Sequence, residues 1–250
     1  MTPIPITALE GDMADDDNSK LPMQARKAAV DVFLRKASVT PYRPGARERG
    51  RLMFAIDATA SREPTWDMAC QIQGEMFEAT HAIGGLEVQL AFYRGFGEFK
   101  VTKWLTNSKA LVRHMTAAFC LGGQTQIVRL LGHALKETKR ARVNALVFVG
   151  DYVEEDVDAL CHLAGQMGVL GVPIFIFHEG GEPIAARTFR QMARLSNGAY
   201  CPFDAASARQ LRDLLGAVAV YAAGGRAALS DYGKQRGGAA LRLTGQINSG

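Results

Sequence analysis

The sequence predicts a three-layer α/β sandwich built on a mostly parallel six-stranded sheet, and three observations carry that reading. Apolar runs such as Leu52-Met53-Phe54-Ala55-Ile56 and, Asn144 aside, the stretch 143–149 are continuous rather than alternating, as in parallel strands covered on both faces. Helical patterns with caps and glycine stops lie between them. One pair of alternating runs, 87–94 and 99–105, is joined by Gly95-Phe96-Gly97-Glu98, which signals a hairpin and hence an antiparallel pair at one edge.

Taken in order, residues 1–21 are polar and acidic, with Glu10, Asp12, Asp15, Asp16 and Asp17 against Lys20, and are predicted to be disordered. Within residues 22–48 a short helix is predicted over 23–37, Ala29, Val30, Phe33 and Leu34 marking its apolar face, then a linker broken by Pro41 and Pro44. The α/β domain is assigned to residues 49–223. Its first strand ends at Asp57, and a helix follows through Trp66, Met68, Ile72 and Phe77 until Gly84-Gly85 stops it. After the hairpin come helices over 108–119 and from Thr125 to Leu135, the buried strand ending at Gly150-Asp151, and a helix over 154–167. A strand over 172–177, a helix over 188–195, a short strand over 199–203 and a helix over 207–221 complete the domain. Pro202 places the short strand at an edge. Residues 224–250 are read as a glycine-rich tail.

Crossovers between parallel strands are right-handed, so a central first strand with the hairpin on one side and the later strands on the other is favoured. The expected order is 3-2-1-4-5-6, a Rossmann-like arrangement with its switch point between strands one and four. Ligands of open α/β sheets bind beyond the carboxyl ends of the strands at that point. The strands flanking it end in Asp57 and Asp151.

Composition narrows the function classes. A 48% hydrophobic content suits a globular domain, and a net charge of +4 without aromatic interleaving in the basic stretch 26–51 argues against nucleic acid. The longest apolar stretch, 167–177, is interrupted by glycine and Pro173 and is too short for a membrane span. No signal peptide is visible at the N-terminus, and a soluble, cytoplasmic protein is expected. Four widely spaced cysteines, Cys70, Cys120, Cys161 and Cys201, fit neither a disulfide framework nor a zinc site.

The chemistry concentrates in five oxygen-bearing residues. Asp57-Ala58-Thr59-Ala60-Ser61 offers three donors from one turn, Thr125 follows Gly122-Gly123-Gln124, and Asp151 ends the fourth strand. Hard oxygens in this number suit a divalent cation such as Mg²⁺. Taken singly, each has a blander reading: Ser61 and Thr125 could be helix N-caps. Their convergence on three loops at one end of one sheet points to a metal site.

This constellation resembles the von Willebrand factor A (VWA, integrin I-like) domain, whose metal-ion-dependent adhesion site (MIDAS) has the pattern Asp-x-Ser-x-Ser, then Thr, then Asp. The likeness covers residues 49–223. Thr59 stands for the first serine and Gly150-Asp151-Tyr152 for the usual Thr-Asp-Gly. The resemblance implies Mg²⁺, or Mn²⁺ or Ca²⁺ in its place, held by Thr59, Ser61 and Thr125, with Asp57 and Asp151 acting through water. It implies a protein-interaction module rather than an enzyme, gripping an Asp or Glu of a protein partner such as an AAA+ ATPase or another assembly component. The alternative is a haloacid-dehalogenase-like phosphotransfer enzyme with Asp57 as nucleophile and Gly150-Asp151 followed by Asp156 as its late motif. Thr59 then stands where that chemistry needs a second Asp.

Overall fold

The computed structural model describes Val32 and residues 49–62, 85–203 and 208–236. Apart from Val32, the predicted N-terminal segment lies outside the described residues, as do the helix after Ser61 and the last part of the glycine-rich tail.

Six strands form one sheet: β1 (Gly50–Asp57), β2 (Leu86–Arg94), β3 (Glu98–Val101), β4 (Ala145–Gly150), β5 (Ile174–Glu179) and β6 (Ala199–Phe203). Their order is β3-β2-β1-β4-β5-β6, as the sequence predicts, and only the β2–β3 pairing is antiparallel. Between them run helices α1 (Ser108–Thr116), α2 (Ile127–Arg140), α3 (Val157–Val169) and α4 (Pro183–Leu195), and α5 (Ala208–Arg236) follows the last strand.

Side chains alternate across each strand, so a strand buried on both faces feeds two cores. Leu52, Phe54 and Ile56 of β1 enter one, with Val147, Phe175 and Tyr221. Met53 and Ala55 enter the other, with Leu130 and Ala134 of α2, Leu160 of α3 and Phe189 of α4. Asp57 continues the second series and therefore emerges on the α2–α3 side. Gly50 sits where α5 crosses the start of β1, and a Cβ there would overlap the backbone of Ala222 and Ala223.

Several boundaries differ from the sequence reading for local reasons. Regular β3 pairing stops at Val101 and resumes as an isolated bridge between Val88 and Leu105. The helix expected over 188–195 starts five residues earlier, because Glu182 caps it by accepting from the Ile184 and Ala185 N–H groups and Pro183 takes the first turn. The last helix does not end at Tyr221 but runs to Arg236, across a break at Gly225 (φ 70°, ψ −158°). Of the cysteines, Cys120, Cys161 and Cys201 are not in disulfides, the last two being buried, and Cys70 lies outside the described residues.

Candidate metal centre

The five predicted residues come together. Asp57, Thr59, Ser61, Thr125 and Asp151 all line one cleft of about 360 Å³ at the carboxyl ends of β1 and β4, with Ala60, Gly122, Gly123, Tyr152 and Glu154 completing its wall. Adjacent parallel strands bring Asp57 and Asp151 together: Ile56 is in register with Val149, so both chains leave the sheet side by side.

Asp57 is fully buried and held from two sides. Its Oδ1 accepts from the Thr59 N–H at 2.8 Å, which bends the chain into the turn, and its Oδ2 accepts from the Tyr93 hydroxyl at 3.1 Å. Burial, with the negative charges of Asp57, Glu155 and Asp151 added to it, pushes the Tyr93 phenol well above its ordinary value, so it remains a donor. The turn sets Thr59 Oγ1 and Ser61 Oγ 3.3 Å apart at the rim.

The loop carrying Thr125 is fixed by a pair of glutamates that the sequence reading passed over. The Thr125 N–H donates to Glu154 Oε2 at 2.8 Å, and Thr125 Oγ1 accepts from the Glu154 N–H at 3.1 Å. Glu155 accepts from the Ile127 and Val128 N–H groups at 2.9 and 2.7 Å, so it caps α2. Thr125 is therefore not the N-cap of that helix. Gly123 packs so closely on the β2–β3 turn that a Cβ would overlap the Gly95 carbonyl. A pair of acids placed shortly before the α3 cap was the available signal, since first-turn donors of one helix favour carboxylates.

Asp151 differs from its neighbours. Its Oδ1 is buried and has no hydrogen-bond partner. A buried carboxylate oxygen left without a donor is costly, and such an atom calls for a cation or an ordered water. From behind, His178 steadies this residue: its Nε2 donates to the Asp151 carbonyl at 3.2 Å, leaving Nδ1 to accept from the Tyr200 hydroxyl at 2.8 Å. Asp156, in the late motif of the phosphotransfer alternative, is spent on capping α3 through the Ala159 N–H at 2.7 Å.

The donor set fits a hard divalent ion. Three hydroxyls and two carboxylates supply oxygen only, as Mg²⁺ prefers. Among the described residues no group of three or more His, Cys, Asp or Glu could hold a metal. An ion here would be held by a hydroxyl-rich set with few charges, unlike a zinc or calcium cage.

This architecture is the von Willebrand factor A-type fold. Solved structures similar to the chain include the SpRpn10 VWA domain (15% identity, TM-score 0.54, covering 67% of this chain and 94% of that one). A von Willebrand factor type A protein from Catenulispora acidiphila is similar at 16% identity and TM-score 0.55, over 68% of this chain and 42% of that one. So is the pilus adhesin SpaC from Lactobacillus rhamnosus GG in its open conformation, at 9% identity and TM-score 0.57, over 77% of this chain and 31% of that one. The likeness thus spans nearly all of the first of these structures and less than half of the other two. No family model matches the sequence, and no curated protein matches it. Among the described residues no helix is long and apolar enough to cross a membrane.

Proposed function

We propose that this VWA-fold chain is a metal-dependent protein-interaction module: Mg²⁺ in the cleft grips an aspartate or glutamate of a partner protein. VWA domains typically serve as interaction modules, which supports the class. The single observation that carries the metal is the partnerless Asp151 Oδ1, buried in the same cleft as Asp57 and Thr125. In this reading Thr59, Ser61 and Thr125 are the inner ligands, while Asp57 and Asp151 hold coordinated waters and balance charge. The ion supplies an electrophilic position that a carboxylate can fill. A partner from an AAA+ ATPase assembly suits such a module, and a cytoplasmic setting belongs to the same proposal.

The phosphotransfer alternative has less support. Its acid–base position is held by Thr59, and Asp156 of its late motif is spent on capping α3 through the Ala159 N–H. Titration of Mg²⁺ or Mn²⁺ into the protein and into Asp57→Ala, followed calorimetrically, tests the reading. Binding that is lost in the variant is expected. Absence of binding in both would overturn the metal, and turnover of phosphomonoesters abolished by Asp57→Asn would restore the enzyme.

A further inference from the structure

Beside the cleft lies an apolar shelf that the metal reading does not use. Phe96 is 86% exposed, Phe119 61% and Leu121 45%. Large apolar side chains standing this far into water in one neighbourhood mark a contact surface. The shelf is built rather than loose. Leu121 donates its N–H to the Ala58 carbonyl at 3.0 Å and accepts from the Gly95 N–H at 3.3 Å, so it ties the β1 turn to the hairpin that displays Phe96. The Arg94 guanidinium lies 4.1 Å from the Phe119 ring centre and donates to the Phe119 carbonyl at 2.7 Å. Gly122 and Gly123, which follow directly, are cleft wall. On the hairpin side stands the exposed cation Arg129, donating to the Gly97 carbonyl at 2.8 Å. A ligand suited to the whole surface carries a carboxylate for the ion and an apolar side chain next to it for the shelf.

The chain's own N-terminal region has that composition. Leu9-Glu10-Gly11-Asp12-Met13-Ala14-Asp15-Asp16-Asp17 sets five carboxylates around Leu9 and Met13, with no basic residue before Lys20. We propose that residues 9–17 occupy the cleft and shelf in cis, one acid on the ion and Leu9 or Met13 against Phe119 and Leu121. The proposal rests on the metal reading of the cleft and gives that site an internal competitor for partner acids.

Reach permits it. Asp17 is about thirty residues from Arg49, and β1 carries the chain roughly 26 Å from there to the cleft. With the helix predicted over 23–37 taking up about 22 Å, the remaining residues still extend to roughly 55 Å. Charge permits it too, since an acidic segment would meet a divalent cation in the cleft and the exposed Arg129 on the hairpin side.

The test is Mn²⁺ alone, added at substoichiometric amounts to the isotope-labelled 250-residue chain and followed by NMR. Bound Mn²⁺ should erase the amide signals of Gly122 and Gly123, and those of residues 10–17 with them. Both sets should return to full intensity in Asp57→Ala, and likewise in Ser61→Ala, which alters only an exposed hydroxyl. Phe119→Ser combined with Leu121→Ser keeps every oxygen donor, and should restore residues 10–17 while Gly123 stays broadened. If Gly122 and Gly123 broaden while residues 10–17 stay sharp, the occupant is wrong and the metal stands. Broadening of 10–17 that persists in both oxygen-donor variants would mean that the acidic segment chelates Mn²⁺ by itself, which also overturns the proposal. If nothing broadens, the metal reading fails and this proposal falls with it.

Discussion

The Tyr93 hydroxyl donates to Asp57 Oδ2 at 3.1 Å, across a register in which the two residues are direct partners near the carboxyl ends of adjacent parallel strands. The phenol thus fixes the rotamer of the acid at the floor of the cleft while Thr59 N–H fixes its other oxygen. Groups that orient a metal's ligands commonly change metal affinity by 10–100-fold. Tyr93→Phe is expected to weaken Mg²⁺ binding about tenfold by calorimetry and to lower stability by about 1 kcal/mol, the net worth of one hydrogen bond. Unchanged affinity would show that Asp57 needs no help from β2.

Metal should stabilise the fold through Asp151. A ligand at one hundred times its dissociation constant adds about 2.7 kcal/mol, which for a domain of this size raises Tm by roughly 5–10 °C. The melting temperature is expected to rise on adding Mg²⁺ and to return on adding EDTA. Asp151→Ala should remove that response without lowering the metal-free Tm, because Oδ1 makes no hydrogen bond to lose. A drop in the metal-free Tm of this variant would assign Asp151 a structural duty instead.

Glu155 holds the first turn of α2 with two hydrogen bonds from a different loop. Glu155→Ala leaves those N–H groups uncapped and is expected to cost about 1–2 kcal/mol, read from the urea midpoint. It should weaken Mg²⁺ binding as well, since the first turn of α2, which begins two residues after Thr125, loses its anchor to the loop after β4. Glu155→Gln, which keeps one acceptor, should recover part of both effects.

His133 gives a pH dependence with a definite sign. Its Nε2 contacts Gln89 Oε1 at 3.0 Å, and Gln89 Nε2 donates to the Thr102 carbonyl, so the amide oxygen is free to accept from the imidazole. Burial lowers the imidazole's pKa from 6.5, and Arg140 and Lys136 act with it, against Glu137. A depressed folded value means that the unfolded chain takes the proton first. Stability is then full above pH 6.5 and falls as the pH drops below that toward the folded value. His133→Gln should flatten this part of a stability–pH curve measured by urea unfolding between pH 7.5 and 5. An identical curve would exclude His133 as its source.

Strand order and the five cleft residues could be read from the sequence because both follow from local signals. Continuous apolar runs identify strands buried on two faces, and an acid or hydroxyl at a strand end is visible as a break in such a run. Glu154, Glu155 and Tyr93 escaped because their roles depend on long-range partners, 28 and 29 residues away for the glutamates and 36 for the tyrosine. Nothing in the alternation of β2 distinguishes Tyr93 from a core aromatic. The start of α4 was missed for a different reason: Glu182-Pro183 is a start signal, but Gly180-Gly181 before it reads as loop. Glycine likewise misled at the other end, where α5 absorbs Gly225 with a single non-helical residue and continues.

The two-way bond between Thr125 and Glu154, with Glu155 gripping α2 alongside it, has a mechanical consequence. Four hydrogen bonds join Thr125 and the first turn of α2 to the loop that follows β4. A partner tugging on an ion in the cleft would load them in parallel, together with β1 through Asp57. Tension would spread into two helices and the middle of the sheet, and no single loop would have to peel away under it.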